Sequence, residues 1–233
     1  MASNEKLGSK KVENEEVNEN FVTRTIAFFN KYQNIIYGVV IGILLVVLAL
    51  ILFNRFYIQK KNAEASANIT YPVSMLMAGD STSLNLALEG DDENDGFLAI
   101  ADNYKITKTA NTARYYAGLC YLKLGQKDEA LDYLKKFKKR EDVLWYGCQT
   151  LIGDLYDDQG NESEAIKYYQ KAIKGNDPLN TPIALFKLGQ MYERQDNWKE
   201  ALAAYQKIED NFFAEYNKMS IAQYKERAQE KCK

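Results

Sequence analysis

Gly118, Gly153 and Gly189 stand 35 and 36 residues apart, and the tyrosines Tyr121, Tyr156 and Tyr192 and the alanines Ala130, Ala165 and Ala201 keep the same two steps. A period of this length marks stacked supersecondary units, because one helix pair alone leaves an apolar face bare and its neighbours must cover it. Within a unit the order reads helix, tight turn, helix. Leu119-Cys120-Tyr121-Leu122-Lys123-Leu124 ends at Gly125, and Asp128-Glu129-Ala130-Leu131 opens a second helix with acids at its positive end. Gly160 repeats the turn in the second unit, which continues to Tyr169 and Ala172; the third carries Tyr205 and Ile208 at those places. The physical demand behind the columns is close approach. Glycine on the first helix and alanine on the second let two helices pack with little separation, and Tyr156, Tyr169, Tyr192 and Tyr205 fill the spaces left.

These columns resemble the tetratricopeptide repeat, whose pattern places a small residue and an aromatic on the first helix and an alanine, an aromatic and an alanine on the second. The first unit departs from it with Leu134 and Phe137 at the last two columns, and the closing proline appears only as Pro178. The resemblance implies a superhelix whose concave wall, built from the first helix of each unit, holds extended peptides or partner helices. The positions matching that wall are Tyr115 and Leu119 in the first unit, Thr150, Asp154, Asp157 and Asp158 in the second, and Phe186, Gln190, Glu193 and Arg194 in the third. A groove so lined is apolar and aromatic at its ends and acidic in its middle. It suits an apolar or basic segment better than the acidic chaperone tails that other such repeats clamp with Lys, Arg and Asn.

Ahead of the repeats, the run from Ile35 to Phe53 carries no charge, and at about 1.5 Å of rise per residue it just spans the hydrocarbon core of a bilayer. In lipid a single apolar run of this length can only be a helix. Phe28, Phe29, Tyr32 and Tyr37 at one border and Phe53, Phe56 and Tyr57 at the other fit the interfacial belt. The run is too long for a cleaved export signal. The nearest small-residue site, Ala63-Glu64-Ala65, lies beyond Arg55, Lys60 and Lys61, so an uncleaved anchor contacting lipid is expected. Gly38 and Gly42 form a G-x-x-x-G through which another membrane helix can approach closely. Arg24 and Lys31 on one side stand against Arg55, Lys60 and Lys61 on the other, which leaves orientation open.

The expected plan is all-α: a single N-terminal transmembrane helix followed by an α-solenoid of helical hairpins. A disordered polar tail covers 1–20, an amphipathic juxtamembrane segment 21–34, the transmembrane helix 35–57, a degenerate helical pair 58–110, three repeats 111–213 and a capping helix 214–233. Within the degenerate pair, helix is expected to stop at Gly79-Asp80, a polar loop to run from about Asp80 to Asp95, and helix to restart at Gly96-Phe97.

The chain has no histidine, and with it lacks the commonest general base and the commonest metal ligand. It carries no phosphate loop, nucleophile elbow or zinc-protease motif, so no catalytic residue, cofactor or metal is expected. Asp154, Asp157 and Asp158 share one helix face, but with no nucleophile or base beside them they read as an acidic lining; an enzyme using Asp154 and Asp158 is the catalytic alternative. Cys120 and Cys148 read as small buried hydrophobes, with a bridge between them as the alternative, and Cys232 completes an odd number. A formal net charge of −2 offers no general basic face for nucleic acid.

The polar tail, the anchor, the helical section containing Phe97 to Tyr104, and Ala117-Gly118-Leu119-Cys120-Tyr121 opening the repeats together resemble the bacterial YfgM-like membrane-anchored tetratricopeptide proteins, in their Bacteroidetes form, over nearly the whole chain after residue 20. That resemblance implies a single-pass protein of the inner membrane, its N-terminal tail cytoplasmic and its repeat domain periplasmic. It implies a non-enzymatic adaptor whose partners are the SecYEG translocon, a PpiD-like folding factor or exported chains. A scaffold for cell-division or outer-membrane machinery is the alternative, and the oligomeric state stays open.

Overall fold

The computed structural model describes residues 2–139 and 143–233, with side chains from residue 23 onward. Its regular structure is all helical among these residues: α1 (Ala2–Phe53), a π-helical turn at Asn54–Ile58, α2 (Gln59–Asn68), α3 (Thr70–Ala78), α4 (Ser81–Glu89), α5 (Phe97–Asn103), α6 (Lys108–Lys123), α7 (Lys127–Lys136), α8 (Val143–Asp158), α9 (Glu162–Ala172), a 3₁₀ turn at Ile173–Gly175, α10 (Thr181–Arg194), α11 (Trp198–Asn211), α12 (Phe213–Lys218) and α13 (Ala222–Lys231). Two compact units divide the chain, one ending at Gln59 and the other spanning Lys60–Lys233.

In the first unit every side chain from Tyr37 to Phe53 is exposed, in the one stretch of helix among the described residues long and apolar enough to cross a membrane. A helix apolar on all sides and covered on none is unfavourable in water and at home in lipid. The expected division into a disordered tail over 1–20 and an amphipathic segment over 21–34 does not appear as separate elements, since α1 runs unbroken from Ala2. Once a helix is nucleated each added residue gains a hydrogen bond, and the Glu and Lys of this stretch are good helix formers.

The second unit begins with four short helices rather than one degenerate pair. Gly79 ends α3 at φ 80°, and Asp80 caps α4 by accepting a hydrogen bond from the Ser83 N–H at 3.0 Å. The polar loop expected from Asp80 to Asp95 is therefore largely the helix α4, and only the segment after it is irregular. Ser, Thr and Asn between the apolar positions disguise a helical stripe: Leu84, Ala87 and Leu88 are buried in a cluster with Phe97 and Ile100.

Three helix pairs follow, α6/α7, α8/α9 and α10/α11, and each closes through the same hydrogen-bonded turn. The N–H groups of Gln126, Asn161 and Asn197 donate to the carbonyls of Tyr121, Tyr156 and Tyr192 at 2.9, 2.8 and 2.8 Å, and those of Gly125, Gly160 and Asp196 donate to Leu122, Asp157 and Glu193 at 3.1, 2.8 and 3.0 Å. This is the paired bonding of a Schellman end, and it requires a left-handed residue. Gly125, Gly160 and Asp196 supply it at φ 77°, 71° and 53°.

The glycine column answers a different need. A Cβ at Gly118, Gly153 or Gly189 would lie closer than 3.0 Å to the side chains of Leu134, Tyr169 and Tyr205 respectively. Each second helix thus seats one large buried side chain on the bare backbone of its partner. Apolar clusters then join α7 to α8 and α9 to α10 along the stack. The single capping helix expected over 214–233 is two, α12 and α13, broken where Ser220 turns at φ 55°. The break lets both Tyr216 and Ile221 pack with Tyr205 and Ile208 of the last pair, which one straight helix would not present together.

Candidate functional site

The first helices of the repeats, α6, α8 and α10, carry the ten wall positions named from sequence, and these separate into two groups. Tyr115, Thr150 and Phe186 belong to the packing. Tyr115 lies against the Phe137 ring at 5.4 Å, and its burial pushes the phenol up to about 12. Thr150 is 6% exposed. Phe186 meets Tyr224 of α13 edge-on at 4.8 Å. Leu119 is half-buried on α6. The aromatic ends expected of the groove are thus taken up by contacts between neighbouring elements.

The charged positions are paired across elements. Asp158 meets Lys127 at 2.8 Å, joining the second pair to the first. Asp154 accepts from the Tyr169 hydroxyl at 2.7 Å and pairs with Lys187 at 2.9 Å, joining the second pair to the third. Asp157 pairs with Arg194, which also reaches Glu162 at 3.7 Å. Glu193 accepts from Arg227 Nε at 3.3 Å, joining the third pair to the cap. Burial first, and then the Asp154 carboxylate, hold the Tyr169 hydroxyl protonated far above the usual phenol range. The matching Tyr205 hydroxyl has Gln190 where Asp154 would be; burial first, and then the Glu193 carboxylate, raise its pKa.

Asp157, Gln190, Glu193 and Arg194 come together with Lys187, Met191, Trp198 and Arg227 around a concavity of about 480 Å³. Its lining holds two carboxylates against three cations, so the wall here is not acidic. The pairing explains the difference: the opposing charge comes from Lys187, on α10 but outside the named wall positions, and from Arg227 on the cap helix α13. Lys187 was open to discovery, because it shares a helical stripe with Gln190 and Arg194. Arg227 was not, because α13 looks like a solvated cap in sequence.

Exposed pairs of this kind contribute about 0–1 kcal/mol each, so their effect is to orient the lining more than to hold the stack together. Asp154 and Asp158, the alternative catalytic pair, are held by different cations on different neighbours. Among the described residues no group of three His, Cys, Asp or Glu is placed to hold a metal ion. Cys120 and Cys148 are free and buried, and desolvation pushes both thiols up to about 12; Cys232 is free and exposed.

Residues 150–212 match one tetratricopeptide-repeat family profile and residues 112–141 match another. Among the solved structures that resemble the chain are two crystal structures. The crystal structure of MamA is 20% identical with a TM-score of 0.45, over 69% of this chain and 93% of that one; the crystal structure of MamA protein is 18% identical with a TM-score of 0.47, over 72% and 91%. No curated protein matches the sequence.

Proposed function

We propose that this chain, with tetratricopeptide repeats over residues 112–141 and 150–212 and one apolar helix of membrane-spanning length, is a non-enzymatic adaptor that holds other polypeptides at a membrane. The observation that carries this reading is the concavity on α8, α10 and α13. Its polar groups are tied to one another in ion pairs, and none is poised beside a nucleophile. Two carboxylates and three cations around Met191 and Trp198 suit a segment of mixed charge that offers one apolar side chain. The apolar helix is the tether. Gly38 and Gly42, with open space where a Cβ would stand, give a second membrane helix a place to approach.

The likeness of the layout to the YfgM-like proteins supports a finer assignment: an ancillary factor of the SecYEG translocon at the inner membrane, working with a PpiD-like folding factor on exported chains. The N-terminal tail then lies in the cytoplasm and the repeats in the periplasm. Crosslinking in intact cells and purification in mild detergent is expected to recover Sec components with the natural chain. The double substitution Lys187→Glu/Arg194→Glu is expected to lose most of them while leaving the fold intact. Recovery of cell-division or outer-membrane components instead would move the protein to the scaffold reading. Partners that ignore the double substitution would remove the wall from the mechanism. Protease added to osmotically opened cells should digest the repeats if they face the periplasm.

A further inference from the structure

A second concavity, of about 460 Å³, lies between α7, α8 and α9 and shares no lining residue with the first. Its rim carries Lys135, Lys138, Lys139 and Lys171, and no carboxylate is among its described lining residues. In a chain whose net charge is −2 these four lysines are a local cluster of positive charge among the described residues. Three of the ammonium groups lie over rings: Lys171 over Tyr168 at 3.7 Å, Lys135 over Tyr156 at 4.8 Å and Lys139 over Trp145 at 5.4 Å. Such contacts direct the ammonium groups while leaving N–H donors for an acceptor. Elsewhere on these helices lysines do find acids, as Lys136 does with Asp132 at 2.6 Å and Lys167 with Glu164 at 3.0 Å.

The basic segment is also held in place. Asn111, only 8% exposed, accepts from the Lys138 backbone N–H at 2.8 Å and donates to the Lys138 carbonyl at 3.2 Å, which pins the chain just beyond α7. Desolvation lowers the pKa of Lys171, and the positive charges of Lys167 and Lys135 lower it further while the Glu164 carboxylate opposes them, so the net effect favours an incoming anion. Beneath the lysines Leu134 and Ile152 back the groove but are covered, and the apolar surface left accessible is that of the half-buried Trp145 and Tyr168 rings.

We propose that this groove docks an acidic polypeptide segment bearing an apolar or aromatic side chain, with carboxylates on the four lysines and the apolar group beside Trp145. The accessible rings of Trp145 and Tyr168 select a polypeptide over a simple anion. A volume of about 460 Å³ is in the range that takes a few side chains. A flat lipid surface and a nucleic-acid duplex do not enter a concavity of about 460 Å³. The site is separate from the wall of the proposed adaptor, so the two can fail independently.

The chain has two tryptophans, and Trp145 lines this groove while Trp198 lines the other concavity. Full-length Trp198→Phe protein in an uncharged detergent therefore reports this groove alone. Titration with the peptide Glu-Glu-Phe-Glu-Glu is expected to give a saturable change in Trp145 emission that weakens as salt rises. Its glutamine counterpart should give none. Adding Lys135→Glu and Lys171→Glu should weaken binding at least tenfold, and the milder Lys135→Gln/Lys171→Gln pair should weaken it in the same direction while helicity is unchanged. In Trp145→Phe protein, where Trp198 reports, the acidic peptide should be silent. The proposal is overturned if the glutamine peptide binds equally, if both double replacements of Lys135 and Lys171 leave binding unchanged, or if anionic vesicles or an oligonucleotide produce the Trp145 response and the acidic peptide does not.

Discussion

Gly153 and Gly160 sit in one helix pair and resist replacement for unrelated reasons. At Gly153 the backbone is ordinary helix, but an added methyl would strike the ring of Tyr169. At Gly160 there is open space, but φ is 71°. Gly153→Ala is expected to destabilise by about 1–3 kcal/mol, the usual cost of overpacking. Gly160→Ala is expected to cost about 1 kcal/mol through left-handed backbone alone. Pairing each with Tyr169→Ala separates them in urea melts: removing the ring leaves the Gly160 cost untouched and relieves only the Gly153 cost. The periodic column at Gly118 reveals that close approach is needed, but not which side chain approaches. That information lies in Leu134, Tyr169 and Tyr205, half a unit downstream, and Leu134 hides it by being aliphatic where its counterparts are aromatic.

Among the elements, the second helices of the later pairs start with a shared device. Asn161 and Asn197 accept from the N–H groups of Glu164 and Glu200 at 3.3 and 3.5 Å, whereas Gln126 in the first pair makes no such bond. Asn161→Ala should lower the thermal stability of the repeat unit by about 1 kcal/mol, and Gln126→Asn should raise it, both read by circular-dichroism melts. The helix pairs were legible in sequence because turn glycine, acidic first turn and apolar spacing agreed with one another. Helix α4 was not, because Ser81, Thr82, Ser83 and Asn85 make a helical stripe look like a loop. The break before α13 has no local mark either: Ser220 takes a left-handed conformation that packing of Ile221 imposes and that its own side chain does not announce. The wall fared in the same way. Sequence placed Asp157, Gln190, Glu193 and Arg194 together, yet Tyr115 and Phe186 turned inward, because the partners that cover them, Phe137 and Tyr224, come from neighbouring elements that no spacing rule connects.

At the scale of the whole molecule, several ionisable groups are buried in neutral form along the stack. The thiols of Cys120 and Cys148 are pushed from about 9 up to about 12, and the phenols of Tyr115, Tyr169 and Tyr205 are raised as well. In each case the folded chain keeps a proton that the unfolded chain releases. The stability these groups contribute is complete below about pH 9 and is lost as pH rises toward 12. Melting temperature followed from pH 7 to 11 should therefore hold level and then fall. Cys148→Ala should be less stable at pH 7 but show a shallower decline above pH 9, because one of the released protons is gone.

The large side chain seated on bare glycine in every pair sets how far apart the two helices stand, and it does so through its carbon atoms rather than through the charges outside it. Those charges can be exchanged singly at small cost to the frame. A lineage of such chains is therefore free to change whom it greets without relearning how to stand, and divergence between relatives should collect on the exposed carboxylates and ammonium groups long before it reaches the spacers beneath them.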